Sequence, residues 1–178
     1  VLETLSEPKK VGSVLPSGNL GFRNDFNYKG INLGFMFSAR FGGVVLSQTQ
    51  AIMDQFGVSE TTAIARDNGG VPVNNGVIDA QAYYTKVGGS NGLLEDYVYD
   101  ATNLRLQELS LGYTLPAKWF NDAVKINLSV VGRNLWMIYC KAPFDPEATA
   151  STGTYYQGLD YFMQPSQRSF GFNVKVQF

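Results

Sequence analysis

The residues of this chain best able to do chemistry are carboxylates and phenols gathered in one late stretch. Asp145-Pro146-Glu147, with Asp160 downstream, offers oxygen donors, and Ca²⁺ takes about six to eight of these. Asp145 and Glu147 are therefore candidate metal ligands. The simpler reading of the same residues is a turn stiffened by Pro146, with Asp145 as a local cap. Tyr155, Tyr156 and Tyr161, with Phe162 and Asp160 beside them, offer rings on which a sugar can stack. Packing of one loop against its neighbours uses the same residues equally well.

Little else points to catalysis. The chain has no His, so the commonest general base and metal ligand is missing. Cys140 is the one cysteine, which excludes an internal disulfide. A nucleophile elbow, a G-x-G-x-x-G and a P-loop are all absent. The expectation is a protein that is not an enzyme and carries no cofactor beyond the Ca²⁺ considered above. Lys and Arg number 14 against 15 Asp and Glu, a balance that argues against a nucleic-acid partner, which needs a basic face. Charged residues make up 16% and aromatic residues 13%, with 19 Gly. That profile suits strands with one face in lipid and one in a polar lumen. It also suits a soluble, aromatic-rich β-sandwich that binds carbohydrate. No run approaches the roughly 18 apolar residues of a membrane-spanning helix. The opening VLETLSEPKK has no charged region followed by an apolar stretch, so a mature product or a fragment is expected.

Alternation of side chains supplies the elements that must position these groups. In SFGFNVKVQF (169–178), Phe170, Phe172, Val174, Val176 and Phe178 alternate with Gly171, Asn173, Lys175 and Gln177. A period of two describes a strand with one apolar and one polar face. Residues 19–29 and 31–42 repeat the pattern around a tight turn at Lys29-Gly30. Residues 103–115 change parity between Leu106 and Leu109. That slip near Glu108 suggests either a β-bulge or a switch to loop above Leu106. Residues 123–138 alternate again. Between these strands lie long segments, 43–102 and 139–167. The first is read as a large surface loop containing a short helix within 47–66, with Ile52, Met53 and Phe56 on one side.

Five strands alternate in direction, so the short connections fall on one rim and the long ones on the other. Transmembrane barrels sort their loops in this way. The fold class expected is all-β, an antiparallel transmembrane β-barrel segment of about five strands, open because so few strands cannot close. Arg23, Lys125, Arg133 and Lys175 fall on the lumen parity. Trp119, Phe120 and Trp136 are candidate anchors at the membrane–water interface.

The assembled motifs resemble those of the SusC/RagA family of TonB-linked outer-membrane transporters of Bacteroidetes. The matching pieces are VGSVLPSGNLGFRNDFNYKGINLGFMFSARFGG (11–43), DNGGVPVNNGVID (67–79), YVYDATNLRLQELSLGYTLP (97–116), GRNLW (132–136) and FDPEATASTGTYYQGLDYFMQPSQRSFGFNVKVQF (144–178). The resemblance implies that residues 1–178 form the C-terminal part of a larger plugged barrel in the cell outer membrane. It implies uptake of oligosaccharide or peptide, a SusD-like surface lipoprotein as partner, and TonB contact through an N-terminal part lying outside this chain. It also makes Phe178 resemble the terminal aromatic read by the barrel-assembly machinery.

Overall fold

The computed structural model describes residues 7, 9–120 and 124–177. Phe178 lies outside them, as does the side chain of Phe120, so the candidate assembly-signal residue and one candidate anchor carry no structural description. The chain forms two compact units.

One unit holds residues 16–42, 101–145 and 165–178. It is built on β1 (Gly18–Tyr28), β2 (Ile31–Phe41), β7 (Asn103–Thr114), β8 (Lys125–Cys140) and β10 (Ser169–Gln177). These make one antiparallel sheet in the order β1-β2-β7-β8-β10. All five strands expected from the alternation are present. Register explains the parity slip in 103–115. Met36 pairs with Glu108 but Phe37 with Leu106, so Gln107 opposes no residue of β2. This β-bulge returns Leu104 and Leu106 to the face of Leu109, Leu111 and Tyr113. Without it a one-residue shift would turn half the strand inside out.

The two faces are consequently unmixed over long rows. On one face the row Phe26, Leu33, Leu111, Val130, Phe172 crosses the whole sheet. On the other face the row Asn27, Asn32, Gly112, Ser129, Asn173 does the same. Amides tie the polar face across four strands. Asn27 Nδ2 donates to Asn32 Oδ1 (2.7 Å), Asn32 Nδ2 to Thr114 Oγ1 (3.1 Å) and Asn127 Nδ2 to the same hydroxyl (2.9 Å). Glu108 accepts from Arg133 Nε (3.3 Å) and lies 3.6 Å from Arg23, so these arginines share the polar face of the sheet.

The β1–β2 turn is held by two left-handed residues, Lys29 at φ 49° and Gly30 at φ 88°. A Cβ on Gly30 would meet the Thr114 carbonyl oxygen at 2.8 Å. Gly30→Val is therefore expected to destabilise the sheet by about 1–2 kcal/mol from conformation alone. Lys29→Asn, which favours positive φ, should leave it unchanged or slightly firmer. Urea titration of the full-length protein in detergent measures both.

The other unit holds residues 1–15, 43–100 and 146–164. It is far from a plain loop. It contains β3 (Val44–Ser47), α1 (Gln48–Gln55), α2 (Glu60–Asp67), the hairpin β4 (Val71–Val73) and β5 (Gly76–Ile78), α3 (Ala80–Val87), β6 (Val98–Asp100) and β9 (Leu159–Asp160). Two helices occupy the stretch where one was expected, because Gly57 (φ 68°) breaks the run and Ser59 caps afresh, accepting from Thr62 N. Ser47 caps α1 and Asp79 caps α3 in the same way. Ala51, Val87 and Tyr97 form the core, with Leu46, Tyr83 and Leu94 packed on it. In α1 Gln48, Ala51 and Asp54 are buried, whereas Phe56 at its C-terminal end is 73% exposed.

Candidate functional site

The aromatic stretch 155–162 is fixed by backbone pairing. Leu46 N donates to Gly158 O (2.8 Å) and β9 pairs in parallel with β3. Ala150 N donates to Leu159 O (2.8 Å), and Phe162 N to Thr49 Oγ1 (2.6 Å). Beside this stretch opens a cleft of about 400 Å³ lined by Gln48, Ser90, Ala150, Ser151, Tyr156, Leu159 and Tyr161. Its lining has ring faces, hydroxyls and an amide, and no charged side chain. Such a surface stacks on an apolar ring and hydrogen-bonds to neutral polar groups.

The structure brings Tyr156 and Tyr161 together in the cleft and leaves the other candidates elsewhere. Tyr155 is 93% exposed and forms no part of the lining. Asp160 is buried and its Oδ2 accepts from Ser47 Oγ (2.8 Å), so it braces the β3–α1 junction and does not line the cleft. Gln48, Ser90 and Ser151 escaped the sequence reading. Their types carry no signal, and only the fold draws 48, 90 and 151 together.

Asp145 stands in the sheet unit. Its Oδ1 accepts from Arg105 Nη2 at 2.7 Å and its Oδ2 from Ser166 N at 3.1 Å. Arg105 Nη1 also donates to Asn134 Oδ1 (2.7 Å), and Asn134 Nδ2 donates to Ser166 O (2.8 Å). Asn134 takes φ 52°, a conformation Asn adopts more readily than most residues. The Asp145 carboxylate is thus engaged in a buried polar clamp with Arg105 and Ser166. Glu147 is exposed and belongs to the other unit. Among the described residues no group of three or more His, Cys, Asp or Glu stands together to hold a metal.

Trp136 lies on the apolar face opposite Leu106 and is 60% exposed; Trp119 sits in the single turn Ala117–Phe120 and is 69% exposed. Register adds aromatics that sequence reasoning missed. Tyr28 and Tyr113 flank Ile31 at the short-turn end of the apolar face, and Tyr139 lies opposite Leu104 at the far end. Their rows are eight β2 residues apart (Ile31 to Ala39), roughly 27 Å along the strand at 3.4 Å per residue. For Tyr28 and Tyr113 the signal was their place on the apolar parity of their strands; Tyr139 falls on the opposite parity and reaches this face only through the register shift between Leu104 and Arg105.

No family model matches the chain. In sequence it is 28% identical over 181 residues to TonB-dependent receptor P3 of Formosa agariphila, covering 97% of this chain and 17% of that protein. It is 24% identical over 175 residues to TonB-dependent receptor P39 of the same organism, covering 94% of this chain and again 17% of the relative. The chain therefore spans about a sixth of the length of these curated relatives. In fold it is similar to the RagAB peptide importer in its open-open state, with TM-score 0.67 at 20% identity over 94% of this chain and 18% of that one. The closed-closed state of the same importer gives 0.64 at 20% identity over 93% of this chain and 17% of that one. Similarity to TonB-dependent receptors in sequence, and a fold shared with RagAB, bear out the resemblance to SusC/RagA TonB-linked transporters that the motifs carry.

Proposed function

We propose that this chain is the C-terminal barrel segment of an outer-membrane TonB-dependent transporter that takes up oligosaccharide or peptide together with a SusD-like surface lipoprotein. The observation carrying this reading is the sheet with one continuous exposed apolar face, rimmed by tyrosines, and one polar face laced with amides and ion pairs. Lipid against the first face and an aqueous lumen against the second satisfy both. A soluble β-sandwich would cover that apolar face, yet Phe22, Phe170 and Phe172 are all more than half exposed. The two long segments leave and rejoin the strands at one end of the sheet, which this reading assigns to the cell exterior. Trp119 then lies at the periplasmic interface and Trp136 toward the outer one. The role of the segment is non-enzymatic: strands wall the pore, and the Tyr156–Tyr161 cleft holds cargo.

The full-length parent should stay with the outer-membrane fraction through high salt and leave it only with detergent. Release into buffer without detergent overturns the reading. Replacing Tyr156 and Tyr161 together by Ala should lower cargo uptake severalfold without altering extraction; unchanged uptake removes the cleft from the cargo path.

A further inference from the structure

We propose a second binding site, a pocket between α1, α2 and α3 that takes the ammonium group of a lysine side chain on a bound peptide. The pocket measures about 180 Å³ and is lined by Asp54, Gln55, Phe56, Gly57, Thr62, Arg66, Ala80, Gln81 and Tyr84; the argument rests on Asp54, Phe56, Tyr84 and Arg66. A cavity of roughly 150 Å³ holds a benzene-sized group, so the end of a long side chain fits.

Asp54 sets the chemistry. It is 4% exposed, yet both partners of its carboxylate are neutral: Gln50 Nε2 donates to Oδ1 (2.8 Å) and the Tyr97 hydroxyl to Oδ2 (3.0 Å). Among the described residues no Lys or Arg forms an ion pair with it. Buried charges are ordinarily paired, because desolvation without a counterion is costly. The field of Asp54 is felt nearby: burial first, and then the Asp54 charge, push the Tyr97 and Tyr84 phenols above their usual range.

The rim suits a cation. Phe56 and Tyr84 bring aromatic rings to the lining, and aromatic rings attract ammonium groups. The turn carrying Phe56 is pinned, since Phe56 N donates to Ile52 O (3.1 Å) and Arg66 Nη1 to Gly57 O (2.9 Å). Arg66 is the one cation in the lining, and the unit outweighs it. Residues 1–15, 43–100 and 146–164 contain four Lys and Arg against eleven Asp and Glu, a net −7. The sheet unit contains ten against four, a net +6, and together they give the chain its −1. Carboxylates at the helix ends (Glu60, Asp67, Asp79) are exposed and reinforce the attraction for a cationic segment.

The test is calorimetric titration of the full-length protein in detergent with acetyl-Gly-Lys-Gly-amide, and with the same peptide carrying norleucine in place of Lys. The lysine peptide should bind saturably and the norleucine peptide should not. Asp54→Asn should weaken binding about tenfold or more, as loss of a charged hydrogen-bond partner does. Phe56→Ala, at an exposed position that leaves folding intact, should weaken it severalfold. Equal binding of the two peptides, no saturable binding, or Phe56→Ala and a folded Asp54→Asn that both bind as the parent does each overturn the proposal. Binding is measured without transport, so failure here leaves the transport reading standing.

Discussion

Arginine at Phe170 should cost the folded parent about 2–4 kcal/mol, and arginine at Val174 only about 0–1. The difference is one of depth. On the apolar face Phe170 pairs with Gly132, which pairs with Leu109 and so joins the row of Phe35, midway between the tyrosine rows. Val174 pairs with Leu128 in the row of Tyr113, at the rim. A guanidinium at mid-membrane has no water within reach, whereas one at the rim extends into the interface. Phe170 is 75% exposed, so little protein packing is lost on replacing it and the lipid contribution is read cleanly. Asn173→Arg, on the polar face of the same strand, is the internal control and should be nearly neutral. Urea titration of the full-length protein in lipid vesicles gives all three values. Equal costs at Phe170 and Val174 would refute a lipid-facing sheet, because a soluble surface has no depth gradient.

Asp145→Ala should destabilise the sheet unit by about 3–5 kcal/mol, the usual consequence of removing one member of a buried ion pair. The side chains of Arg105 and Asp145 are 3% and 9% exposed, and the pair closes at 2.7 Å. Loss of the carboxylate takes the Asp145 counterion from the buried Arg105 guanidinium and its acceptor from the Ser166 amide together. The register shift of β8 beside Asn134 and the entry to β10 then lose a shared support. Arg105→Met combined with Asp145→Leu should cost less than Asp145→Ala alone, since no buried charge remains. The same urea titration, run also on Arg105→Met and Asp145→Leu alone, completes the double-mutant cycle. Additive losses across it would show that Arg105 and Asp145 act independently.

The strands were legible because period two is a local property. Each of the five announced itself by alternation, and the Lys29-Gly30 turn by a glycine that permits positive φ. Even the bulge at Gln107 was visible, as the slip between Leu106 and Leu109. Non-local features were not. Two helices replaced one where the apolar spacing of Ile52, Met53 and Phe56 had suggested a single short helix. Capping by Ser47 and Ser59 and the break at Gly57 decide where helices begin and end, and packing on Val87 and Tyr97 decides which side is buried. Asp160 looked available for a ligand because sequence does not show that Ser47 reaches it across 113 positions.

By itself the sequence determined the alternating strands, the sorting of short and long connections, and the absence of the usual catalytic groups. These follow from residue type and spacing over a few positions. Only the tertiary structure decided that Asp145 is clamped by Arg105, that Tyr156 and Tyr161 share a cleft with Gln48 and Ser90, and that Asp54 lies buried beside an exposed Phe56. Each of these joins residues distant in the chain or reverses a local preference. The free energy that fixes them comes from burial and from paired polar groups, which exist only once the chain has folded.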